Sequence, residues 1–231
     1  MNISDLVHII EKVGPFRGMA EEEIRSLILS GQMLDFQREA VIFREEEPCA
    51  GLHVLLKGQV QLCKISQGGQ ISILSVMDPI VMFNEVAALD GGPNPVTAFA
   101  GSPSTLWKIL PETLHAFLMG HPLVQAGLLK VLASRNRLLI EHVQDLSFRS
   151  VLARTAKLLL ELSAHGEKTV DRRAHPNYQL SARISTVPEA LSRSLRSLNA
   201  EKSIELTKHT IIVLNTQRLM EVAHVTPFVF S

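Results

Sequence analysis

The sequence is poor in the residues that mark disulfide-rich, membrane-spanning or metal-cluster proteins. Of its 231 residues only two are cysteine and 5% are aromatic. Cys49 and Cys63 cannot supply four ligands, which excludes an iron–sulfur cluster held by this chain alone. No apolar run approaches the ~18 residues of a membrane span, and no signal peptide is visible. We therefore expect a cytoplasmic protein with no membrane partner.

Catalytic patterns are also missing from the sequence. There is no Ser/His/Asp or Cys/His arrangement on defensible elements, no phosphate-binding glycine loop that opens a helix, and no cluster with metal-ligand spacing. Asp78, Glu85 and Asp90 fit turn and cap roles better than catalysis. We therefore expect no catalytic residues and no enzyme activity.

Charge is balanced over the whole chain but not along it. Basic and acidic side chains number 23 each. From Arg149 to the end, however, twelve basic side chains face seven acidic ones, a net charge of +5 that the earlier residues offset. This asymmetry is typical of a basic module joined to a module of another kind.

The sequence pattern of residues 33–109 is typical of an all-β domain. Short β-prone runs recur at near-regular spacing, with turn residues between them, and Gln67–Gln70 has the composition of a hairpin turn. Many short strands of this kind indicate a sandwich or a barrel.

A long helix is predicted from Leu123 to Leu146. Apolar residues alternate at spacings of three and four along it, which is typical of a two-fold helix–helix contact. We call this stripe the seam, and Asn136 within it would fix the register of the pair. The alternative is that the stripe packs on its own barrel. The seam consists of Leu129, Leu132, Asn136, Leu139, Val143 and Leu146.

The segment from Gln179 to Asn199 predicts a helix-turn-helix. Leu180 and Ile184 form one face of a short helix, Ser185–Val187 is a tight connection, and Pro188 suits the first turn of a second helix. An arginine-bearing face on that second helix has the geometry of a major-groove reader, and a β-hairpin follows it. The candidate DNA-binding residues are Thr186, Pro188, Glu189, Ser192, Arg193 and Arg196.

This order of parts resembles the CRP/FNR superfamily of bacterial transcription regulators over nearly the whole chain. The run from Pro188 to Arg193 is similar to that family's recognition-helix signature, and Phe83-Asn84-Glu85 with Thr97-Ala98 resembles its effector-pocket segment. The resemblance implies an α+β fold: an N-terminal jelly-roll barrel like a cyclic-nucleotide-binding domain (1–122), a dimerisation helix (123–147) and a winged helix-turn-helix (148–231). It further implies a homodimer on a palindromic double-stranded DNA site, with RNA polymerase as a partner.

Two departures from the family pattern bear on the effector. Cyclic-nucleotide binders have an arginine before the Ser/Thr-Ala pair, where this chain has Val96, and they place Thr and Ser on the dimer helix, where it has Leu139 and Ile140. A cyclic phosphate would lack its guanidinium partner, so cyclic AMP is not expected. The candidate effector-binding residues are Asn84, Glu85, Thr97, Leu139 and His142.

Gly91–Pro95 and the start of the recognition helix resemble the nitric-oxide-responsive members of the superfamily, which implies haem as the sensor cofactor. The candidate axial ligands are His142 and Met82, with His53 and Met77 as further choices. The alternative keeps the fold and replaces haem with an organic or nucleotide-like ligand. The apolar tail Thr226–Ser231 has no assigned role.

Overall fold

A computed structural model describes residues 2–224 of the chain, so the tail lies outside the described residues. The chain divides into two compact units, one of residues up to 69 with 74–138, the other of 70–73 with residues from 139 onwards. The first contains a β-roll and the second a helix-turn-helix with a small sheet. This mixed architecture confirms the predicted fold class.

The first unit opens with two helices and a 3₁₀ turn, which form one layer of its core. α1 (Ile3–Ile10) begins at Asn2, whose side chain accepts a hydrogen bond from the amide of Asp5 at 2.8 Å. α2 (Glu21–Leu29) buries Ile24, Leu27 and Ile28, the face that their spacing predicts.

Eight strands form the roll as two four-stranded sheets, in the orders β1-β8-β3-β6 and β2-β7-β4-β5. Strands that are distant in sequence are therefore neighbours in both sheets, as a jelly-roll requires. The strands are β1 (Gln32–Phe36), β2 (Val41–Phe43), β3 (Leu52–Lys57), β4 (Val60–Ile65), β5 (Ile71–Met77), β6 (Val81–Phe83), β7 (Thr97–Ala100) and β8 (Ser104–Ile109).

Two apolar cores lie on opposite faces of the β1-β8-β3-β6 sheet. One is enclosed by the two sheets and includes Phe43, Leu55 and Phe83. The other joins the sheet to the helices around Trp107, whose indole N–H donates to the carbonyl of Ile28 at 3.1 Å. Alternate residues of one strand therefore enter different cores, because successive side chains of a strand point to opposite faces.

Three further helices follow in chain order: α3 (Glu85–Asp90), α4 (Pro111–Met119) and α5 (Pro122–Phe148). The first turns of α5 bury Val124 and Leu128 in the core around Trp107. A Cβ atom at Gly127 would lie 2.7 Å from the Cα of Pro15, so a glycine is needed where α5 approaches the chain so closely.

Besides the end of α5 and the start of β5, the described residues of the second unit form four helices and a three-stranded sheet of order β10-β11-β9. Its core gathers apolar side chains from all four helices and all three strands. β9 and α9 were not predicted from the sequence. The elements are α6 (Val151–Leu162), β9 (Val170–Asp171), α7 (Asn177–Arg183), α8 (Pro188–Ala200), β10 (Ile204–Leu206), β11 (Thr210–Val213) and α9 (Thr216–Ala223).

Candidate DNA-reading helix and effector site

α7 and α8 form the helix-turn-helix that the sequence predicts. The connection turns at Ser185, which has a φ of 50°, and Pro188 occupies the first turn of α8, where no intrahelical N–H bond is lost. Leu191, Leu195 and Leu198 of α8 are buried. The apolar stripe therefore fixes which side of α8 faces outward.

The outward face of α8 carries the candidate base-reading residues. Glu189, Arg193 and Arg196 are exposed, and Ser192 is half-buried beside them. Thr186, in the turn, is also half-buried, and Pro188 is exposed. All six candidate DNA-binding residues thus lie at one end or along one face of α8, as their spacing predicts.

A β-hairpin, which we call the wing, follows α8 and is formed by β10, β11 and the turn between them. In that turn the amide of Thr207 donates to the carbonyl of Thr210 at 2.9 Å, and the amide of His209 donates to the hydroxyl of Thr207 at 3.2 Å. Arg172, next to β9, donates from its guanidinium to the carbonyl of Thr207 at 2.6 Å. The wing is therefore held at its tip as well as along its strands.

In the first unit, two buried asparagines hold the candidate effector segment together. Asn84 has a φ of 64° at the start of α3, a left-handed conformation that asparagine adopts more readily than most residues. Its Nδ2 donates to the carbonyl of Gly51 at 3.0 Å and to Oδ1 of Asn94 at 2.9 Å. Asn94, which is 1% exposed, donates in turn to the carbonyls of Arg44 and Pro48.

Beside Asn84, the carboxylate of Glu85 is 2% exposed and ion-paired with Arg135 of α5. The same guanidinium donates to the carbonyl of Met82. Glu85 therefore does not serve only as a turn or cap residue, because a buried charge of this kind needs a partner. Two acceptor atoms at this place, Glu85 Oε2 and Asn84 Oδ1, are buried without a hydrogen-bond partner among the described residues.

Most residues of the seam are exposed along α5. Leu129, Leu139 and Val143 are 66%, 56% and 59% exposed. Asn136 and Leu146 are exposed as well, and Leu132 is half-buried. The buried residues of the helix, Val124 and Leu128, lie on a different stripe. An apolar stripe left open to this extent on a long helix is typical of an interaction surface.

Two family models match the chain. The first, described as a cyclic nucleotide-binding domain, matches residues 33–121, and the second, a Crp-like helix-turn-helix domain, matches residues 153–222. Together they span more than half of the chain, in the order expected from the sequence. The chain belongs to the CRP/FNR family.

Two bacterial relatives match about nine-tenths of the chain. The CRP-like cAMP-activated global transcriptional regulator of Mycobacterium tuberculosis is 26% identical over 216 residues, which cover 91% of this chain and 96% of the relative. The cyclic AMP receptor protein of Thermus thermophilus is 29% identical over 208 residues, which cover 90% and 95%. The matched relatives are regulators and receptors, not enzymes.

A solved structure of a putative CRP/FNR-family regulator from Eubacterium rectale superposes with a TM-score of 0.77. It covers 93% of this chain and 99% of its own at 16% identity, and so shows the fold alone. The chain is thus a DNA-binding transcription regulator of the CRP/FNR family with an effector-binding domain. These relatives do not bear on the resemblance to nitric-oxide-responsive members, which stays a prediction.

In this CRP/FNR-family chain, Thr97 lies where the resemblance places an effector contact, but its hydroxyl already has a partner. The side chain is 3% exposed and accepts a hydrogen bond from the amide of Glu45 at 3.1 Å. Val96, which precedes it, is half-buried and packs against the core enclosed by the sheets. The segment therefore offers an anion no cationic side chain at this position.

The candidate haem ligands lie in different surroundings. Met82 is 2% exposed and packs in the core around Trp107, whereas its neighbours Val81 and Phe83 pack in the core enclosed by the sheets. His142, in the second unit, is half-buried, and its Nε2 has no hydrogen-bond partner among residues 2–224. Met77 packs against the core enclosed by the sheets.

His53 is the buried imidazole of the roll. It is 2% exposed, and its ring lies 5.4 Å from that of Phe43 and 5.2 Å from that of Phe83. Burial, together with the charge of Lys108, lowers its pKa to about 4, so the ring is neutral at pH 7. Since Nδ1 faces the carbonyl of Gly51 at 3.0 Å, Nδ1 carries the proton and Nε2 keeps its lone pair.

Neither a metal cluster nor a membrane helix occurs in the part of the chain that the structure describes. No three His, Cys, Asp or Glu side chains there are grouped as metal ligands, and no helix is long and apolar enough to cross a membrane. Cys63 is buried, and burial raises the pKa of its thiol to about 11. Cys63 is therefore an inert core residue at neutral pH.

Proposed function

We propose that the chain acts as a cytoplasmic homodimer that reads a palindromic DNA site with α8 of each protomer. The observation that carries this proposal is the outward face of α8, where Glu189, Ser192 and Arg193 lie opposite a buried leucine stripe. Arginine can bridge O6 and N7 of guanine, glutamate can accept from N4 of cytosine, and serine can do either. The bound dimer would then act on transcription through RNA polymerase.

The exposed seam supports the dimer. Its apolar side chains would be covered by the same stripe of a second copy, in a two-fold contact through Leu129–Leu146. A helix pair of this kind places two reading heads on one side of the DNA. The half-sites should then lie about one helical turn apart.

Arg193→Ala tests the base-reading role. The variant should lose roughly 1–3 kcal/mol of binding to the selected site and little of its binding to scrambled DNA, because a base contact carries specificity and a phosphate contact does not. The site is first selected from a random library, and affinities are then measured by fluorescence anisotropy at fixed salt. Lys168→Ala, an exposed cation outside the helix-turn-helix, is the matched control. Equal losses on both DNAs would contradict the proposal.

We further propose that an organic effector binds in the β-roll at Asn84 and Glu85. The unpartnered Oδ1 of Asn84 and Oε2 of Glu85 are acceptors, so they favour a ligand with hydroxyl or N–H donors. Two relatives are named for cyclic AMP, whose sugar carries such a donor. The phosphate of a cyclic nucleotide, however, would meet Val96 where other members have an arginine.

A calorimetric titration distinguishes these effectors. Cyclic AMP, a nucleoside without phosphate and a buffer blank are titrated into the protein, and Glu85→Gln is the comparison variant. A ligand bound through its hydroxyl donors should bind more weakly to the variant, because a neutral amide is a weaker acceptor than a carboxylate. Tight binding of cyclic AMP, with the nucleoside inert, would contradict the expectation that no cyclic phosphate is held.

Haem with nitric oxide as its signal is the second candidate. Its support is the neutral His53, whose Nε2 keeps a lone pair for an axial bond. Haem bound there would supply an iron on which a diatomic gas can be sensed. Reconstitution with haem tests this candidate. A Soret band that appears and then shifts in His53→Phe or His142→Phe would support haem binding. A spectrum that equals that of free haem would contradict it.

A further inference from the structure

A chain of hydrogen bonds links the wing to the recognition helix, and it begins at Arg172. The backbone amide of Arg172 donates to the carbonyl of His209 at 2.8 Å, and its guanidinium donates to the carbonyl of Thr207 at 2.6 Å. Both acceptors belong to the turn of the wing. The backbone amide and the guanidinium of Arg172 are both hydrogen-bonded to this turn. Because both ends of the side chain are thus held, the guanidinium has little freedom to move.

The fixed guanidinium decides which way the side-chain amide of Asn177 points. Arg172 donates to Oδ1 of Asn177 at 3.2 Å. A guanidinium has donors only, so the amide oxygen and not the NH₂ group must face it. The NH₂ group therefore faces Ser192 of α8, where Nδ2 donates to the hydroxyl oxygen at 3.2 Å.

This contact determines what the hydroxyl of Ser192 can still offer. A hydroxyl has one proton to donate and two lone pairs, and Asn177 occupies one lone pair. Among residues 2–224, no hydrogen bond uses the Ser192 hydroxyl as donor, although Ser194 on the same helix donates to the carbonyl of Ala190. The Ser192 proton thus remains available, and accepting a bond strengthens a hydroxyl as a donor.

We infer that Asn177 is a positioning residue that makes Ser192 a hydrogen-bond donor to the DNA, so that Ser192 selects base edges that present an acceptor. In the major groove these are N7 of a purine, O6 of guanine and O4 of thymine. Cytosine presents only its amino group there and is disfavoured. This inference rests on the proposed function, in which α8 reads the major groove.

Asn177→Asp tests the inference because it reverses the polarity of the contact. A carboxylate at 177 still accepts from Arg172, but it also accepts the Ser192 proton, so the hydroxyl then presents only lone pairs to the base. Sites are selected from a library of randomised palindromes and sequenced. At the position that loses its preference in Ser192→Ala, the ratio of guanine or thymine to cytosine should fall about fivefold in Asn177→Asp, the value of one net hydrogen bond.

Two controls separate this effect from an added charge. Asn199→Asp places the same charge on α8, at a side chain whose Oδ1 already accepts from the amide of Leu206 at 2.8 Å. It should lower affinity for all sequences alike. In a Ser192→Ala background, Asn177→Asp should no longer change the preference, because the group that it acts through is gone.

The outcomes are distinguishable. If Asn177→Asp behaves as Asn199→Asp does, the inference is overturned while the proposed function stands. If the wild-type protein selects no sequence at all, both are overturned. Should thermal unfolding show that Asn177→Asp does not fold, Asn177→Ala replaces it, and a weakened but unreversed preference against cytosine is then expected, because a free hydroxyl can serve in either role.

Discussion

In the β-roll, the polar side chains that we expect at the effector are buried, whereas in the helix-turn-helix those that we expect at DNA are exposed. Asn84 and Glu85 are 6% and 2% exposed and are held by neighbours from distant parts of the chain. Glu189 and Arg193 extend from α8 into solvent. A ligand of the roll must therefore fit among side chains that are already hydrogen-bonded or ion-paired to one another. DNA, in contrast, would contact side chains that are exposed to solvent.

Substitutions in the two units are therefore expected to have different effects. A change at a buried polar group of the roll should affect stability first, because its partner is left unpaired. A change on the outer face of α8 should affect binding with little effect on folding.

The largest effect is expected from Arg135→Met, which leaves the buried carboxylate of Glu85 without its cation. Breaking a buried ion pair costs about 3–5 kcal/mol, and because Arg135 is itself partly exposed we expect the lower end, about 3 kcal/mol in the free energy of unfolding. Urea denaturation at pH 7 measures it. Arg137→Met, at an exposed position of the same helix, is the matched control.

The double variant Glu85→Gln with Arg135→Met completes this test. Removing both charges should restore most of the lost stability, because no buried charge remains uncompensated. If Arg135→Met is as stable as Arg137→Met, the two units do not differ in the way that we describe.

The next effect concerns the seam. Leu139→Asp would place two charges in the apolar contact of a dimer, and we expect the dissociation constant of the dimer to rise about a hundredfold. Sedimentation equilibrium measures it against a protomer mass of 25.5 kDa. Leu138→Asp, at a leucine of similar exposure outside the seam, should change it little. Equal effects of the two variants would argue against the seam as the interface.

The helix-turn-helix could be predicted from the sequence because its signals are local. The spacing of Leu191, Leu195 and Leu198 sets the buried side of α8, and Pro188 marks its start. Six of the eight strands of the roll were predicted by the same logic, but β1 and β6 were not. The order of the strands in the sheets was not predicted either, because the pairing of β1 with β8 joins residues about 70 positions apart.

The candidate effector site was predicted only in part. The motif identified Asn84 and Glu85, but not Arg135 or Asn94, which are brought to them by the fold. A usable signal was present for Arg135. It follows Val124, Leu128 and Val131 at spacings of three and four, so it is a charged residue in a core-facing stripe and should have a buried partner.

A smaller effect is expected at His53, whose burial makes the stability of the roll depend on pH. Its pKa is about 4 in the folded protein and near 6.5 when unfolded, so unfolding takes up a proton between these values. The contribution to stability is complete above pH 6.5 and falls as the pH drops toward 4. At pH 5 the loss should be about 2 kcal/mol relative to pH 7.

His53→Phe isolates this contribution, because a phenyl ring can pack beside Phe43 and Phe83 but cannot take up a proton. The carbonyl of Gly51 keeps its bond from Asn84 in the variant. Urea denaturation at pH 7 and pH 5 should show a smaller loss in His53→Phe than in the wild type, by about 2 kcal/mol. His8→Phe, at an exposed position of α1, should retain the full loss. If both variants retain the loss of stability at pH 5, groups other than His53 cause the acid sensitivity. The ring of His53 is then more hydrated than its 2% exposure indicates.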